Sequence, residues 1–417
     1  MDIYVFKLYK CVTSSFLHMS QSAPATKRPN RDKQRHVALI IETSKVYGRE
    51  ILLGISHYHK IHGPWSIFTR ERGQDEADPP WLKNWQGDGI ITRSLDLAIC
   101  QRAFRRGIPV VSLRHLQEPA LLPTVFPDQK LIAERVAEHL LERGFRSFGY
   151  CGVPDNRGWE LARREAFAAI LKKRGATLLE YKPTYVTDSD QNWEREQAGM
   201  MKWLATLDKP AAIMASHDSQ GVLVLDACRR AGIRVPDEVG VVSVDNDPVL
   251  CELASPPLSS LDQNVVRLGF EAASMLARMM HGEKIEARNY FMEPGEVVTR
   301  QSSDVIAVDD RNVSAALRFI RENACSNIDV HAIARAAGQS RRALEKKFST
   351  RLGKTPMDQV NEIRLRRIKQ LLLETDLLLA DIAEQVGFEY HEYMSRYFKK
   401  HTGMAPGQFR RAHRTKR

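Results

Sequence analysis

The chain has 417 residues and a formal charge of +11, and 43% of its residues are hydrophobic. That composition excludes an unfolded chain, and the length leaves room for two or three separate cores. No run of about 18 apolar residues occurs, so no membrane partner is expected.

The opening stretch, "MDIYVFKLYKCVTSSFLHMS", is broken by Asp2, Lys7 and Lys10, so no secretory signal is expected. Six cysteines stand at 11, 100, 151, 228, 251 and 325, with no CxxC pair among them. Free thiols in a reducing cytoplasm follow, with no metal site and no cofactor expected. The charge is segregated. Residues 311–417 carry 22 Lys+Arg against 11 Asp+Glu, whereas residues 36–310 carry 33 against 38. A slightly acidic body with a basic end points to a polyanion-binding module joined to something else.

Residues 1–35 end in "SQSAPATKRPNRDKQR", a polar, basic tail expected to lack fixed structure. From His36 the pattern changes. "HVALIIET", "WSIFTR", "GDGIITR", "IPVVSL", "FRSFGYCG", "PAAIMAS" and "VGVVSVDND" are short strand-like runs. Helical stretches separate them: "GREILLGISHYHKIHG", "LIAERVAEHLLERG", "RREAFAAILKKRG", "GVLVLDACRRAG" and "VRLGFEAASMLARMMHG". Alternating strands and helices predict βαβ units and parallel sheets. Gly107, Gly144, Gly175 and Gly232 fall where helices should end. Some 265 residues of this pattern (36–300) predict two α/β lobes with a cleft between them. No GxGxxG, P-loop or GxSxG motif follows a strand, which disfavours dinucleotide, triphosphate or hydrolase sites.

In parallel sheets ligands gather beyond the carboxyl ends of strands. Polar residues stop the apolar runs there: Tyr47 after β1-like "VALIIE", Arg93 after "GIIT", His217 and Asp218 after "AAIMAS", Asp245 after "VGVVSV" and Gln263 after "LSSLD". Trp159 and Arg163 follow "FGYCGVPDNRG". Carboxylates and amides for hydroxyls, arginine forks, and an aromatic face for ring C–H groups suit a small sugar. Taken singly, Asp218 and Asp245 also fit as helix caps. The stretches "VAEHLLERGFRSFGYCG", "ASHD", "RRAGIRVPDEVGVVSVDND" and "PPLSSLDQN" resemble the effector domain of the lactose/galactose-repressor family, whose fold is periplasmic-binding-protein-like. The resemblance implies that Arg163, His217, Asp218, Asp245 and Gln263 lie at or near a bound sugar, with His217 replacing the usual Asn.

A polar linker is expected at 301–312, then an all-helical end at 313–417. "HAIARAAGQSRRALEKKFSTRLG" (331–353) and "DIAEQVGFEYHEYMSRYFKKHTG" (381–403) repeat one pattern. Ile333-Ala334, Gly338, Phe348, Gly353 and Pro356 match Ile382-Ala383, Gly387, Phe398, Gly403 and Pro406. Each copy reads as a helix-turn-helix, at about 330–351 and 379–402. With Leu344, Phe348, Met394 and Phe398 turned to the core, Arg341, Arg342, Glu345 and Lys346 of the first copy face outward. So do His391, Glu392, Ser395, Arg396 and Lys399 of the second. Arg suits guanine, Glu suits cytosine and Lys suits phosphate, so double-stranded DNA is the expected partner. The 357–375 stretch between them predicts a rigid connecting helix. The closing "GFEYHEYMSRYFKKHTGMAPGQFR" resembles the arabinose-regulator (AraC) family of transcription factors. An AraC-type end on a lactose-repressor-type sensor resembles the xylose-regulator family. That resemblance implies a homodimer, D-xylose as effector, and activation through RNA polymerase. A competing reading, a methyl-transferring DNA-repair enzyme, needs a reactive cysteine motif that is absent, so no enzyme activity is expected.

Overall fold

The computed structural model describes residues 34–413, except 74–75, 95–97, 115–119, 155–157, 184–189, 306–309 and 376. The expected basic tail therefore lies almost wholly outside the described residues, as do residues 306–309 of the polar linker. Among the described residues no helix is long and apolar enough to cross a membrane.

Two six-stranded sheets organise the body. The first runs β11-β5-β4-β3-β1-β2, built from β1 (Arg35–Ile40), β2 (Trp65–Phe68), β3 (Gly89–Thr92), β4 (Val110–Ser112), β5 (Thr124–Pro127) and β11 (Asn289–Met292). All its pairs are parallel. Helices α1 (Val46–His62) and α8 (Val265–Met280) cover one face, and α2 (Ala98–Arg105) covers the other. The second sheet runs β12-β10-β9-β8-β6-β7, from β6 (Ser147–Cys151), β7 (Thr177–Tyr181), β8 (Ala211–Ala215), β9 (Val239–Val244), β10 (Ser259–Leu261) and β12 (Val297–Val298). Only β12 is antiparallel. Helices α3 (Gln129–Glu142) and α4 (Gly158–Lys173) lie on one face. Helices α5 (Asp190–Ala205), α6 (Asp218–Arg230) and α7 (Pro248–Leu253) lie on the other. Burial on both faces explains the unbroken apolar runs: β8 and β9 are buried at every position. Gly107, Gly144, Gly175 and Gly232 all have positive φ at helix ends, as their placement predicted.

The chain crosses between the lobes three times: at 127–129 from β5 into α3, at 262–264 from β10 into α8, and at 293–296 from β11 into β12. These crossings are laced together. The Gly295 amide donates to Asp262 O at 2.7 Å and the Asp128 amide to Met292 O at 2.8 Å. Arg135 reaches across from α3 to Gly295 O at 2.8 Å and Glu293 at 2.5 Å. A laced hinge allows the lobes to rotate without separating.

Among the described residues seven helices form the end of the chain: α9 (Arg311–Asn323), α10 (Val330–Ala336), α11 (Arg341–Leu352), α12 (Pro356–Glu374), α13 (Leu379–Gln385), α14 (His391–Thr402) and α15 (Pro406–His413). Their caps are legible in the sequence. Asp329 and Ser340 accept the Ala332 and Ala343 amides, and Thr355 with Asp358 forms a capping box before Pro356. One small core lies under α10 and α11 and contains Ile333, Leu344, Phe348 and Val360. A second lies under α13 and α14 with Ile368, Leu372, Ile382, Met394 and Phe398. α12 contributes to both.

Candidate effector cleft and DNA-reading face

A cavity of about 140 Å³ lies between the lobes, at the carboxyl ends of both sheets. All eight residues read from strand ends line it: Tyr47, Arg93, Trp159, Arg163, His217, Asp218, Asp245 and Gln263. The first lobe supplies Tyr47 and Arg93. Gly48 lets α1 start hard against the end of β1, since a Cβ there would lie 1.9 Å from Glu42 O. This sets Tyr47 over the cleft, where the Arg93 guanidinium stacks on its ring 4.4 Å from the centroid. Arg93 also pairs with buried Glu42.

The second lobe supplies the rest. Arg163 is 2% exposed, yet no carboxylate is within ion-pair distance of it among the described residues. Its Nε and Nη2 donate to Gln129 Oε1 at 3.0 and 2.6 Å, and Nη1 donates to Ser216 O. Its plane lies over Trp159, 4.8 Å from the ring centroid. Burial lowers its pKa, while Tyr150, Asp245 and Tyr47 favour its charge. Trp159 and His217 face each other at 6.4 Å.

The capping alternative falls to neighbours of the two aspartates. His217 is the N-cap of α6, its Nδ1 accepting the Gln220 amide at 3.2 Å, and Asp247 is the N-cap of α7. Asp218 turns inward instead. It accepts from Ser243 Oγ at 2.5 Å, Ser260 Oγ at 2.6 Å and the Asp247 amide at 2.6 Å, which ties α6 to β9, β10 and α7. Burial raises its pKa against those bonds. A carboxylate so fully engaged braces the floor of the cleft. Asp245 is the more available acid. Its φ is +118°, in the region that non-glycine residues rarely adopt, and Gln263 Nε2 donates to it at 2.5 Å. Burial first, then the Asp218 charge, pushes its carboxyl up to about 7, against Arg163, Gln263 and Arg93.

At the basic end, Arg341, Arg342 and Lys346 of α11 are exposed, and Glu345 is half-exposed and paired with Arg341 at 2.9 Å. On α14, His391, Glu392, Arg396 and Lys399 are exposed and Ser395 half-exposed, with His391 Nδ1 3.3 Å from Glu392. Leu344, Phe348, Met394 and Phe398 are fully buried beneath them. Each second helix thus presents a polar, mostly basic face of the size that enters a major groove.

Comparison with known proteins follows the same division. Residues 36–128 match a "XylR N-terminal domain", 137–303 a "periplasmic binding protein-like domain" and 333–412 a "helix-turn-helix domain". The xylose operon regulatory protein of Escherichia coli K12 is 28% identical over 91% of this chain and 97% of its own length. That of Haemophilus influenzae is 29% identical over 90% and 97%. A solved structure described as the xylose-binding transcription activator xylR covers 93% of this chain and all of its own, at 26% identity and TM-score 0.72.

Over almost its whole length the chain is similar to XylR-type transcription regulators. Its sensor has the periplasmic-binding-protein-like α/β fold and its end is an AraC-type helix-turn-helix domain, as the two resemblances implied. The repair-enzyme alternative finds no support in these likenesses. XylR-type architecture also frames what strand ends did not reveal. Glu42, Lys45, Arg114, Gln129, Ser219 and Asp247 line the cavity as well. Glu42 passed as the last residue of a strand, and Gln129 lies just ahead of the helical stretch that was read from Leu131. Gln129 and Gln263 sit on the hinge crossings themselves, one holding Arg163 and the other Asp245. No metal-binding cluster occurs among the described residues.

Proposed function

We propose that this regulator is a cytoplasmic homodimer that binds D-xylose in the inter-lobe cleft and activates transcription by presenting α11 and α14 to two successive major grooves. The observation carrying the sugar reading is the cleft itself. Polar and charged groups from both lobes and from two hinge crossings converge on one small cavity with Trp159 and Tyr47 on its walls. D-xylose is favoured because the relatives spanning almost the whole chain are xylose operon regulators. Activation carries RNA polymerase as a further partner. Ligand acts by preferring the closed arrangement of the lobes, since only differential affinity shifts such an equilibrium.

Calorimetry against a panel of pentoses and hexoses tests the effector. Heat with D-xylose and with few others is expected, and heat with a different sugar but none with D-xylose overturns the ligand. For DNA, Arg341→Ala is expected to weaken operator binding by about 1–3 kcal/mol and to relax specificity at one position. A parent protein that binds operator and random duplex equally at matched salt would sink the DNA reading.

A further inference from the structure

The DNA-reading end is held on the second lobe by more than the covalent linker. Arg321 of α9 reaches Asp237 at 2.7 Å, with side chains only 16% and 21% exposed. Arg366 of α12 pairs with Asp304. One contact would leave a pivot. Two, from two helices to two separate turns of the lobe, fix an orientation.

Both anchor turns are rigidly part of the lobe. Asp237 stands two residues before β9, whose six residues are all buried between β8 and β10. Asp245, at the cleft, is the first residue after that strand. One strand, about 20 Å long, therefore joins the cleft to the Arg321 contact. Asp304 follows a short helical turn (Gln301–Ser303) sewn to the same sheet. Ser302 Oγ donates to Val241 O at 2.6 Å, and Arg143 Nε donates to Ser303 O at 2.9 Å. His139 Nε2 and Ser303 Oγ lie 2.9 Å apart. The far side of the seam is equally stiff. Arg364 of α12 is 8% exposed, donates to Ala324 O and Ser326 O at 2.6 and 2.8 Å, and lies over Phe388. It thereby binds the two helix-turn-helix units to each other. Between the two ion pairs lies a void of about 130 Å³ lined by both charged and apolar side chains, among them Arg143, Leu317, Gln359 and Ile363.

We infer that Arg321–Asp237 and Arg366–Asp304 form a clasp that makes the second lobe and the DNA-reading end one moving body, so that lobe closure re-aims both reading helices together. This rests on the sugar-responsive reading above. Asp237→Asn/Asp304→Asn alters neither the cleft nor the DNA face. Hydrogen exchange on the full chain without sugar comes first. Exchange in 301–305 and α9 should quicken in the double variant while the lobe cores keep their protection. Unchanged exchange there overturns the clasp, whatever the effector is. In the second arm, D-xylose binding by calorimetry should stay within about twofold of the parent, while the sugar-dependent change in operator affinity falls to near onefold. Combining Asp237→Arg with Arg321→Asp should restore part of it. A full sugar response in the double variant also overturns the clasp. A parent with no response to any sugar instead faults the effector reading and leaves the exchange arm to decide.

Discussion

Asp245 carries three burdens: a left-handed backbone, a carboxyl pushed up to about 7 by burial and by the Asp218 charge, and a hydrogen bond from a hinge glutamine. The sign of its pH effect follows. A carboxyl whose folded pKa lies above its unfolded value stabilises the fold below about pH 4, and that contribution is lost as pH rises through about 7. Asp245→Asn removes this titration. The variant should therefore gain in Tm relative to the parent on going from pH 4 to pH 8, read by thermal melts at both pH values. A difference between the two that does not change with pH would refute the shifted carboxyl. Glu50 has the same sign, also raised to about 7, first by burial and then by Asp262 and Asp247. At this scale the sequence was informative about position and less so about role. Polar residues ending apolar runs gave six lining residues, and the helix after "FGYCGVPDNRG" gave Trp159 and Arg163. Nothing in the run "ASHD" shows that His217 caps α6 while Asp218 braces three neighbouring elements.

Among the elements, α1 and α8 show what periodicity cannot. Both are plain amphipathic helices in sequence. In the structure their backbones touch: a Cβ at Gly54 would lie 1.9 Å from Val266 O, and one at Gly269 2.2 Å from Ile51 O. Since α8 enters directly from the Gln263 crossing, this contact fixes the first lobe to its hinge. Gly269→Ala gains helix propensity but forces the helices apart, with a net loss of about 1–3 kcal/mol expected from overpacking. Gly407→Ala on α15 is the control. Nothing lies within 4 Å of its added Cβ, so a gain of about 0.5–1 kcal/mol is expected. Denaturant unfolding of both variants decides whether close approach or propensity governs; equal shifts of one sign would refute this account.

For the whole molecule the connecting helix sets the geometry. α12 has 19 residues, so it spans about 28 Å and supports a core at each end. Reading helices held this way suit grooves about 34 Å apart. Inserting two alanines after Arg367 turns the second unit by about 200° relative to the first. Binding to a single half-site should survive. Affinity for the tandem site should drop by about 10²-fold or more as simultaneous engagement is lost, measured by gel shift on one- and two-site duplexes. Equal affinity of the variant and the parent for the tandem site would mean that the units read DNA independently.

The sequence alone determined the two-lobed α/β body, the doubled helix-turn-helix and which polar residues at strand ends line the inter-lobe cavity. These rest on local signals: alternation of apolar runs, cap glycines, charge segregation and a repeat with fixed Ile-Ala, Gly and Phe positions. Tertiary structure alone decided which residues face one another across long separations. Gln129 holds Arg163, Glu42 holds Arg93, Arg135 ties α3 to the 293–296 crossing, and Arg321 meets Asp237. Such pairings follow from how sheets and helices stack in three dimensions, and no pattern confined to neighbouring residues encodes them.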